Sequence, residues 1–346
     1  MAAVFPRLLG VSVLLMGTIV TGPVLAQSAP IEQQLNMHLH SLERTRAQQT
    51  AERLLEAGER SLALGNEDRA IAAWQEAFDI YSRIGDQPGM TQAIEPLAAT
   101  LVTADRYDEA ATVILQQITL AQEAGDRAAQ MYALNNLGMV YLQEGKITRG
   151  EAAFAAALEL AEALDDAAGI GLSLSNLGLA ARWSGDLISA QNYYELAIDH
   201  RADAGDWLGL ARTANSLGAI YRQFDADEEA LSNFLTAREA AQTAGDRATL
   251  FTALDGIIAV AADYADGEIL QTAVAERTAV SVFELPTEEQ LGFHLAWARY
   301  YEYQADYAEA RTAYEAGLAI TEEIDAPSQR TFILNQLQGL DLITEE

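Results

Sequence analysis

The chain repeats itself at an interval of 40 residues. An acidic residue recurs at that interval, at Asp86, Asp126, Asp166, Asp206 and Asp246. A glycine precedes each of these aspartates except Asp166, which follows Asp165. A fixed period of roughly 20 to 50 residues is typical of stacked repeats, in which each unit contacts only its neighbours. The period therefore predicts an elongated array of similar units rather than one globular core.

Each unit contains two segments with helical periodicity. Leu134, Leu137 and Tyr141 fall at helical spacing, and Phe154 lies in a second such run after a break at residues 144–145. At the end of a unit, the recurring glycine supplies the left-handed conformation that ends a helix. The aspartate that follows can accept hydrogen bonds from the first turn of the next helix. Each unit is therefore predicted to be a pair of helices.

A small residue and a bulky one recur at fixed places in these pairs. The small residue stands at Ala70, Ala110, Gly150, Ala190, Ala230 and Ala310, with Leu270 as the exception. Four residues later come Trp74, Ile114, Phe154, Tyr194, Phe234, Val274 and Tyr314. Small side chains allow two helices to approach closely, and the bulky ones fill the space between pairs. We expect looser packing where Leu270 and Arg277 replace small residues.

The pattern of one unit resembles a known family. The order Leu134, Leu137, Gly138, Tyr141, Phe154 and Ala157 is similar to the tetratricopeptide repeat, as is Leu174, Leu177, Gly178, Ala190, Tyr194 and Ala197. The period of 40 residues looks like that of the long-repeat subclass found in kinesin light chains and Pins-type scaffolds. The resemblance implies an all-α, right-handed α-solenoid of about seven helix pairs with capping helices at both ends. It also implies that the first helices line a concave, protein-binding face.

The repeats and their flanks divide the chain into four parts. After residues 1–26, residues 27–50 are predicted to form a linker and a polar capping helix, and 331–346 a closing helix and tail. Seven repeats are expected between residues 51 and 330, at about 51–90, 91–130, 131–170, 171–210, 211–250, 251–290 and 291–330. Pro96 should kink one first helix, and Thr287 should begin the last repeat with a capping box.

Residues 1–26 have the pattern of a secretory signal peptide. Arg7 precedes an apolar run of 13 residues from Leu8 to Val20, and small residues precede Gln27. Such a run spans about 20 Å as a helix, against a hydrocarbon core of about 30 Å. We expect cleavage before Gln27, export to the periplasm or the extracellular space, and no stable membrane insertion afterwards. An uncleaved anchor is the alternative.

Charge and motifs exclude several classes of function. The net charge is −30 with Lys146 as the sole lysine, which opposes binding to nucleic acid. Gly169 and Gly171 begin a pattern like a dinucleotide-binding loop, but the final glycine is absent and no strand precedes it. The sequence contains no P-loop, no nucleophile elbow and no zinc-binding HExxH motif. We expect no catalytic residues, no cofactor and no metal site, and hence no enzyme.

Amides in the first helices are candidate ligand-binding residues. The resemblance implies that a recurring asparagine of this helix holds the backbone of an extended peptide, and that position carries Asn136 and Asn176. Asn215 lies one residue earlier in its own repeat and is a weaker candidate. A carboxamide offers both a donor and an acceptor, so it can pair with any peptide unit. The alternative is that these amides tie adjacent helices together.

A group of cationic and aromatic residues follows the amides. Arg182 and Arg222 occupy equivalent places in adjacent repeats, Trp183 adjoins the first, and Arg212 lies nearby in sequence. A guanidinium grips carboxylates and a tryptophan provides a flat anchor, so these residues could hold an acidic segment. Ion pairs within the solenoid are the alternative.

These observations favour an exported interaction scaffold that binds a partner protein or an extended peptide along the groove of repeats 3 to 5. The alternative is a structural subunit of an envelope complex that stacks through the solenoid ends or the convex face. The partner's identity does not follow from the sequence.

Overall fold

The computed structural model describes residues 31–264, 267–279 and 286–344. The predicted signal peptide and its cleavage site therefore lie outside the described residues. The described residues form fifteen helices and no strand, which confirms the all-α prediction. The helices are α1 (Ile31–Ala63), α2 (Glu67–Ile84), α3 (Gln87–Thr103), α4 (Tyr107–Ala124), α5 (Arg127–Gln143), α6 (Ile147–Ala163), α7 (Ala167–Ser184), α8 (Leu187–Ala204), α9 (Trp207–Gln223), α10 (Asp227–Ala244), α11 (Arg247–Tyr264), α12 (Gly267–Arg277), α13 (Thr287–Tyr303), α14 (Tyr307–Glu323) and α15 (Pro327–Thr344).

The recurring glycine and aspartate separate successive pairs as the sequence predicts. Gly125 and Gly205 end α4 and α8 with φ values of 70° and 67°. Asp126 then accepts a hydrogen bond from the backbone N–H of residue 129 at 2.9 Å, and Asp206 accepts one from residue 209 at 2.9 Å. Because the stop and start signals are adjacent, the chain reverses direction within two residues.

The helices stack into an α-solenoid. Each helix packs mainly against the helices before and after it, and the first helices of consecutive pairs also meet from α5 through α13. Buried apolar side chains form successive clusters, one across α2 to α5, another across α10 to α13 and a third across α13 to α15. The apolar core is thus distributed along the array, since no helix pair can bury its apolar face alone.

In four of the helix pairs, an aromatic ring of the second helix lies on a glycine of the first; in α3 and α4 the equivalent residues are Ala98 and Ile114. A Cβ atom added to Gly138 would lie 2.4 Å from the Phe154 ring, and one on Gly178 would lie 2.7 Å from the Tyr194 ring. Phe154 is 0% exposed. Real carbon atoms do not approach this closely, so the glycine is required for the two helices to be in contact.

Polar contacts between first helices join one pair to the next. Asn135 on α5 is 2% exposed, and its Nδ2 donates to Ser173 Oγ on α7 at 3.0 Å. Asn176 Nδ2 donates to Asn135 Oδ1 at 2.8 Å. One step along the array, the hydroxyls of Ser175 on α7 and Thr213 on α9 are 2.9 Å apart. These hydrogen bonds satisfy polar groups in a wall of closely packed helices.

A buried arginine strengthens the contact between α7 and α9. Arg201, in the last turn of α8, is 7% exposed and donates from Nε to Ser175 Oγ at 3.0 Å, while its Nη1 pairs with Asp206. Burial lowers the pKa of the Arg201 guanidinium, and the neighbouring Asp206 carboxylate opposes that change. Gly171 and Gly209 provide the space, because a Cβ at either position would collide with the arginine side chain.

The structure differs from the sequence prediction near both ends of the array. Residues 31–63 form one continuous helix, so the predicted capping helix and the first helix of repeat 1 are not separate. The predicted capping box at Thr287 is wrong, because Pro286 holds the N-cap position and its side chain makes no capping hydrogen bond. A proline has no backbone N–H that could take part in a capping box. The first turn of α13 is held instead by hydrogen bonds from backbone N–H groups to the Pro286 carbonyl. Helix α3 continues through Pro96, the residue at which the sequence predicts a kink.

The two unusual residues of repeat 6 are both buried. Leu270 is 0% exposed and Arg277 is 2% exposed. Arg277 Nε donates to Asp255 Oδ1 at 2.8 Å, and its guanidinium lies 4.1 Å from the centre of the Phe251 ring. Gly292 leaves room for the arginine. Sequence analysis predicts looser packing at these bulky residues. For Arg277, an ion pair with Asp255 and the space beside Gly292 allow the side chain to be buried.

Substitution of Gly138 by leucine should destabilise the solenoid strongly, because the new side chain would occupy the position of the Phe154 ring. Overpacking of this kind costs about 1–3 kcal/mol or more. Gly339→Leu is the matched control, since no atom lies within 4 Å of a Cβ at that position of α15. The control should change the stability by less than about 0.8 kcal/mol, in the stabilising direction expected from helix propensity. Thermal unfolding followed by circular dichroism measures both, and equal losses would contradict the assigned pairing.

Replacement of Asn135 by alanine should lower the free energy of unfolding by about 1–3 kcal/mol, because it leaves buried partners on α7 without a hydrogen bond. The neighbouring Asn136 is exposed, and Asn136→Ala should cost no more than about 0.5 kcal/mol. Chemical unfolding of the two variants gives the comparison. A loss at Asn136 equal to that at Asn135 would show that the tie between α5 and α7 is assigned to the wrong amide.

Candidate functional site

A large opening on the described surface lies between α3 and α5. Its volume is about 960 Å³, which is at the upper end of the range for ligand pockets. Helices α3 and α5 form its walls, and α4 forms its floor. We call it the α3–α5 groove, and its lining consists of Gln87, Pro88, Thr91, Glu95, Ala98, Ala99, Val102, Ile114, Gln117, Leu120, Ala121, Ala124, Asp126, Ala129, Tyr132, Asn136, Met139, Val140 and Gln143.

The polar tie that joins α5 to α7 is absent at the groove, between α3 and α5. From α5 to α13 each first helix contacts the next, whereas α3 and α5 make no comparable contact. The residues 40 positions before Asn135 and Ser173 are Glu95 and Ala133. Alanine offers no hydroxyl to receive an amide, and an exposed carboxylate replaces the buried asparagine. The hydrogen-bonded pair that joins α5 to α7 therefore has no counterpart between α3 and α5.

The floor of the groove is apolar and its walls carry amides. Ile114, Leu120 and Ala121 on α4 face the opening, and Met139 and Val140 extend the apolar surface along α5. Carboxamides stand around this floor, on Gln87 of α3, Gln117 of α4, and Asn136 and Gln143 of α5. This combination of an apolar surface and a few convergent polar groups is typical of a binding site.

The charged groups of the lining are acidic. Glu95 is exposed on α3, and Asp126 stands at the start of α5, where one carboxylate oxygen accepts the capping hydrogen bond. The lining contains no lysine, arginine or histidine. Partial burial, with added repulsion from Asp166 and Asp206, raises the pKa of the Tyr132 hydroxyl. Tyr132 therefore stays a neutral donor at physiological pH, while the two carboxylates give the groove a negative potential.

A smaller opening lies between α7 and α9. Its volume is about 370 Å³, and its lining includes Asn176, Arg212 and Ser216. The buried Arg201 also reaches this opening, but its guanidinium is held by Ser175 and Asp206. This site is more polar and less than half as large as the α3–α5 groove.

The structure separates the asparagines that sequence analysis grouped together. Asn136 lines the α3–α5 groove, whereas Asn176 lines the smaller opening and donates its amide to Asn135. Asn215 is 7% exposed and donates to the backbone carbonyl of Thr249 at 3.1 Å, so its side chain joins α9 to α11. The tying role that we considered as the alternative therefore describes Asn176 in part and Asn215 fully.

The candidate arginines also occupy different environments. Arg222 Nη2 lies 3.2 Å from Asp263 Oδ2, as the alternative of an internal ion pair predicts. Arg182 lies near Tyr194: burial raises the pKa of the Tyr194 hydroxyl, and the positive charge of Arg182 opposes that rise. Trp183 is 48% exposed, and neither it nor Arg182 lines the two openings described above. Arg212 alone of the predicted cationic residues lines one of them.

Sequence analysis missed most of the groove. Glu95 and Tyr132 fall in first helices, but their residue types do not recur at the equivalent positions of the neighbouring repeats. A detectable signal was the loss of the hydrogen-bonding pair at residues 95 and 133, which distinguishes the α3–α5 step from the α5–α7 step. The meaning of this difference can be recognised only when the structure shows that Asn135 and Ser173 form a hydrogen bond.

Two further properties bear on the possible functions. Within residues 31–264, 267–279 and 286–344, histidine and acidic side chains form no group arranged to hold a metal ion. Over the same residues, none of the helices combines the length and the apolar character that crossing a bilayer requires.

Comparison with known proteins supports the repeat assignment. A tetratricopeptide-repeat family model matches residues 129–201 and 169–243. A search of curated proteins gave no match. Among solved structures, BtubC (BKLC) from P. vanneervenii has a TM-score of 0.54 at 17% identity, covering 64% of this chain and 92% of that one.

Two other solved structures share the fold over more of the chain. RapI in its apo form has a TM-score of 0.55 at 14% identity and covers 80% of this chain and 98% of its own. Aspartyl phosphate phosphatase F from Bacillus subtilis has a TM-score of 0.59 at 14% identity, with 88% and 77% covered. At these identities the likeness concerns the fold alone. Residues 129–243 of this chain therefore carry tetratricopeptide repeats, set within a longer α-solenoid.

Proposed function

We propose that this protein is a scaffold that binds a segment of a partner protein in the α3–α5 groove. The observation that carries the proposal is the groove itself, with its volume of about 960 Å³, its apolar floor on α4 and its amide-bearing walls. A surface of this kind gains free energy from apolar burial and orientation from polar groups. The tetratricopeptide repeats support the proposal, because such arrays present extended surfaces for recognition.

The proposed site lies earlier in the array than the sequence analysis placed it. The first helices α5, α7 and α9 are joined to one another by Asn135, Ser175 and their hydrogen-bond partners. These contacts leave no wide groove between the helices. A ligand at that wall would find the smaller opening at Asn176 and Arg212. The α3–α5 groove offers more apolar surface without breaking any of these hydrogen bonds.

Export is part of the proposal. It rests on Arg7, on the apolar run that follows and on the small residues before Gln27, and so on the sequence alone. N-terminal sequencing of the protein from its producing cell should begin at Gln27. Detection of residues 1–26 on the accumulated protein would favour the anchor instead.

A catalytic role receives no support from the solved structures. The name of aspartyl phosphate phosphatase F describes an activity of that protein, and an identity of 14% carries only its fold to this chain. We therefore propose binding rather than catalysis as the function.

A stacking subunit is the alternative, and one observation favours it. Helix α15, at the end of the described array, exposes 46% of Leu334, 65% of Leu342 and 52% of Ile343. Apolar side chains at a solenoid end suit contact with another molecule. Light scattering distinguishes the two, because stacking would produce a stable oligomer in the absence of any partner.

Site-specific photocrosslinking tests the proposed binding site. A photoreactive residue at Ala99, on the α3 wall, should capture a partner in the native compartment, whereas the same residue at Ala155 should not. Both alanines are exposed in helices, but Ala155 lies on α6 and does not line the groove. With the captured partner, Ala99→Trp should lower the affinity at least about tenfold, because the indole fills the groove, and Ala155→Trp should leave it unchanged.

Unchanged melting temperatures would show that both tryptophan variants are folded. Equal capture at Ala99 and Ala155, or an affinity that Ala99→Trp does not alter, would place the partner outside the α3–α5 groove.

A further inference from the structure

We propose that the α3–α5 groove selects an extended peptide segment that is both apolar and cationic. This inference rests on the proposed binding function and adds the chemistry of the ligand. Three features of the lining support it: the free amides of the walls, the apolar floor and the sign of the charges.

The amides favour a ligand with an extended backbone. No hydrogen bond within the described residues uses the side-chain amides of Gln87, Gln117, Asn136 or Gln143, all of which line the groove. A helical ligand satisfies its own backbone groups, so these amides would gain no partner from it. An extended segment presents unpaired N–H and C=O groups at every residue, and a carboxamide can pair with either.

The apolar floor sets the length and pattern of that segment. On α5 the lining runs from Ala129 to Gln143, and 14 residue steps of helix correspond to about 21 Å. An extended chain covers that distance in about six residues, and alternate side chains point to the same side. About three apolar side chains would therefore face Ile114, Leu120 and Val140, and the others would point toward the rim.

The rim determines the charge of those outward side chains. Glu95 and Asp126 line opposite walls of the groove, and no ion pair with Glu95 occurs within the described residues. Arg127 follows Asp126 in the chain but does not line the groove. In a protein of net charge −30, a lysine or arginine of the ligand would be attracted at this rim, and a glutamate would be repelled. This is the reverse of the acidic segment that Arg182 and Arg222 suggested from the sequence.

Fluorescence anisotropy with synthetic peptides tests the inference. The main probe is a labelled peptide about six residues long in which leucine and lysine alternate. Two comparison probes replace lysine by glutamate or leucine by serine, and a longer probe arranges leucine and lysine at helical spacing. The leucine–lysine probe should bind at least about tenfold more tightly than each of the three others, and its affinity should fall as salt is added.

Variants show whether the binding occurs at the groove. Glu95→Lys should weaken the leucine–lysine probe about fivefold to tenfold, as expected for reversal of one rim charge. Glu159→Lys is the matched control, because it makes the same change in net charge at an exposed position on α6 outside the groove, and it should change the affinity less than about twofold. Ala99→Trp should abolish saturable binding, and Ala155→Trp should not.

Each contrary result has a distinct meaning. Tighter binding of the glutamate or helical probe, lost with Ala99→Trp, would keep the groove as a binding site but overturn the proposed ligand chemistry. Equal effects of Glu95→Lys and Glu159→Lys would attribute the binding to overall charge and would also overturn it. Absence of binding by the leucine–lysine probe, or binding unaffected by Ala99→Trp, would refute the inference. Photocrosslinking at Ala99 tests the proposed function independently of this result.

Discussion

The contact between an aromatic ring and a glycine is the interaction on which the packing of four of the helix pairs depends. Phe154 against Gly138 and Tyr194 against Gly178 bring the two helices of a pair into direct contact. The second helices also bury apolar side chains against the following pair. The 40-residue period reflects this packing, because each helix pair must present a similar surface to its neighbour. Rigid pairs then position every first helix along the array.

Contacts between first helices vary, and that variation produces the candidate site. Asn135 and Ser173 join α5 to α7, and Ser175 and Thr213 join α7 to α9. At the α3–α5 step the equivalent residues are Glu95 and Ala133, which form no such tie. Asn136, whose equivalent Asn176 bonds Asn135, and the Glu95 carboxylate remain at the surface, beside the apolar side chains of α4. The candidate site thus lies where the residues between first helices depart from the repeat pattern.

Fold and site differ in how far the sequence predicts them, for a physical reason. Helix pairs, their caps and the ring-on-glycine contact follow from local patterns such as Gly125-Asp126 and the spacing of Gly138 and Phe154, because those interactions involve residues close in sequence. The groove depends on contacts between residues about 40 positions apart, and a single asparagine can serve as a tie or as a ligand contact. Asn136 and Asn176 occupy equivalent places, yet the first lines the α3–α5 groove and the second bonds Asn135. Arg201 and Arg277 show the same limit, since their burial depends on Gly209 and Gly292 in the following helices.

The central claim is that ligand binds between α3 and α5, and the methionines of α5 offer the most direct test. Met139 lines the groove, whereas Met131, on the same helix, is 0% exposed and packs beside Gly169. In a protein labelled with ¹³C at the methionine methyl groups, addition of an apolar, cationic peptide should shift the Met139 resonance in a saturable manner. The Met131 resonance should stay in place, because the helix packing does not change. A peptide that binds while the Met139 resonance remains unmoved would contradict the assignment of this groove as the binding site.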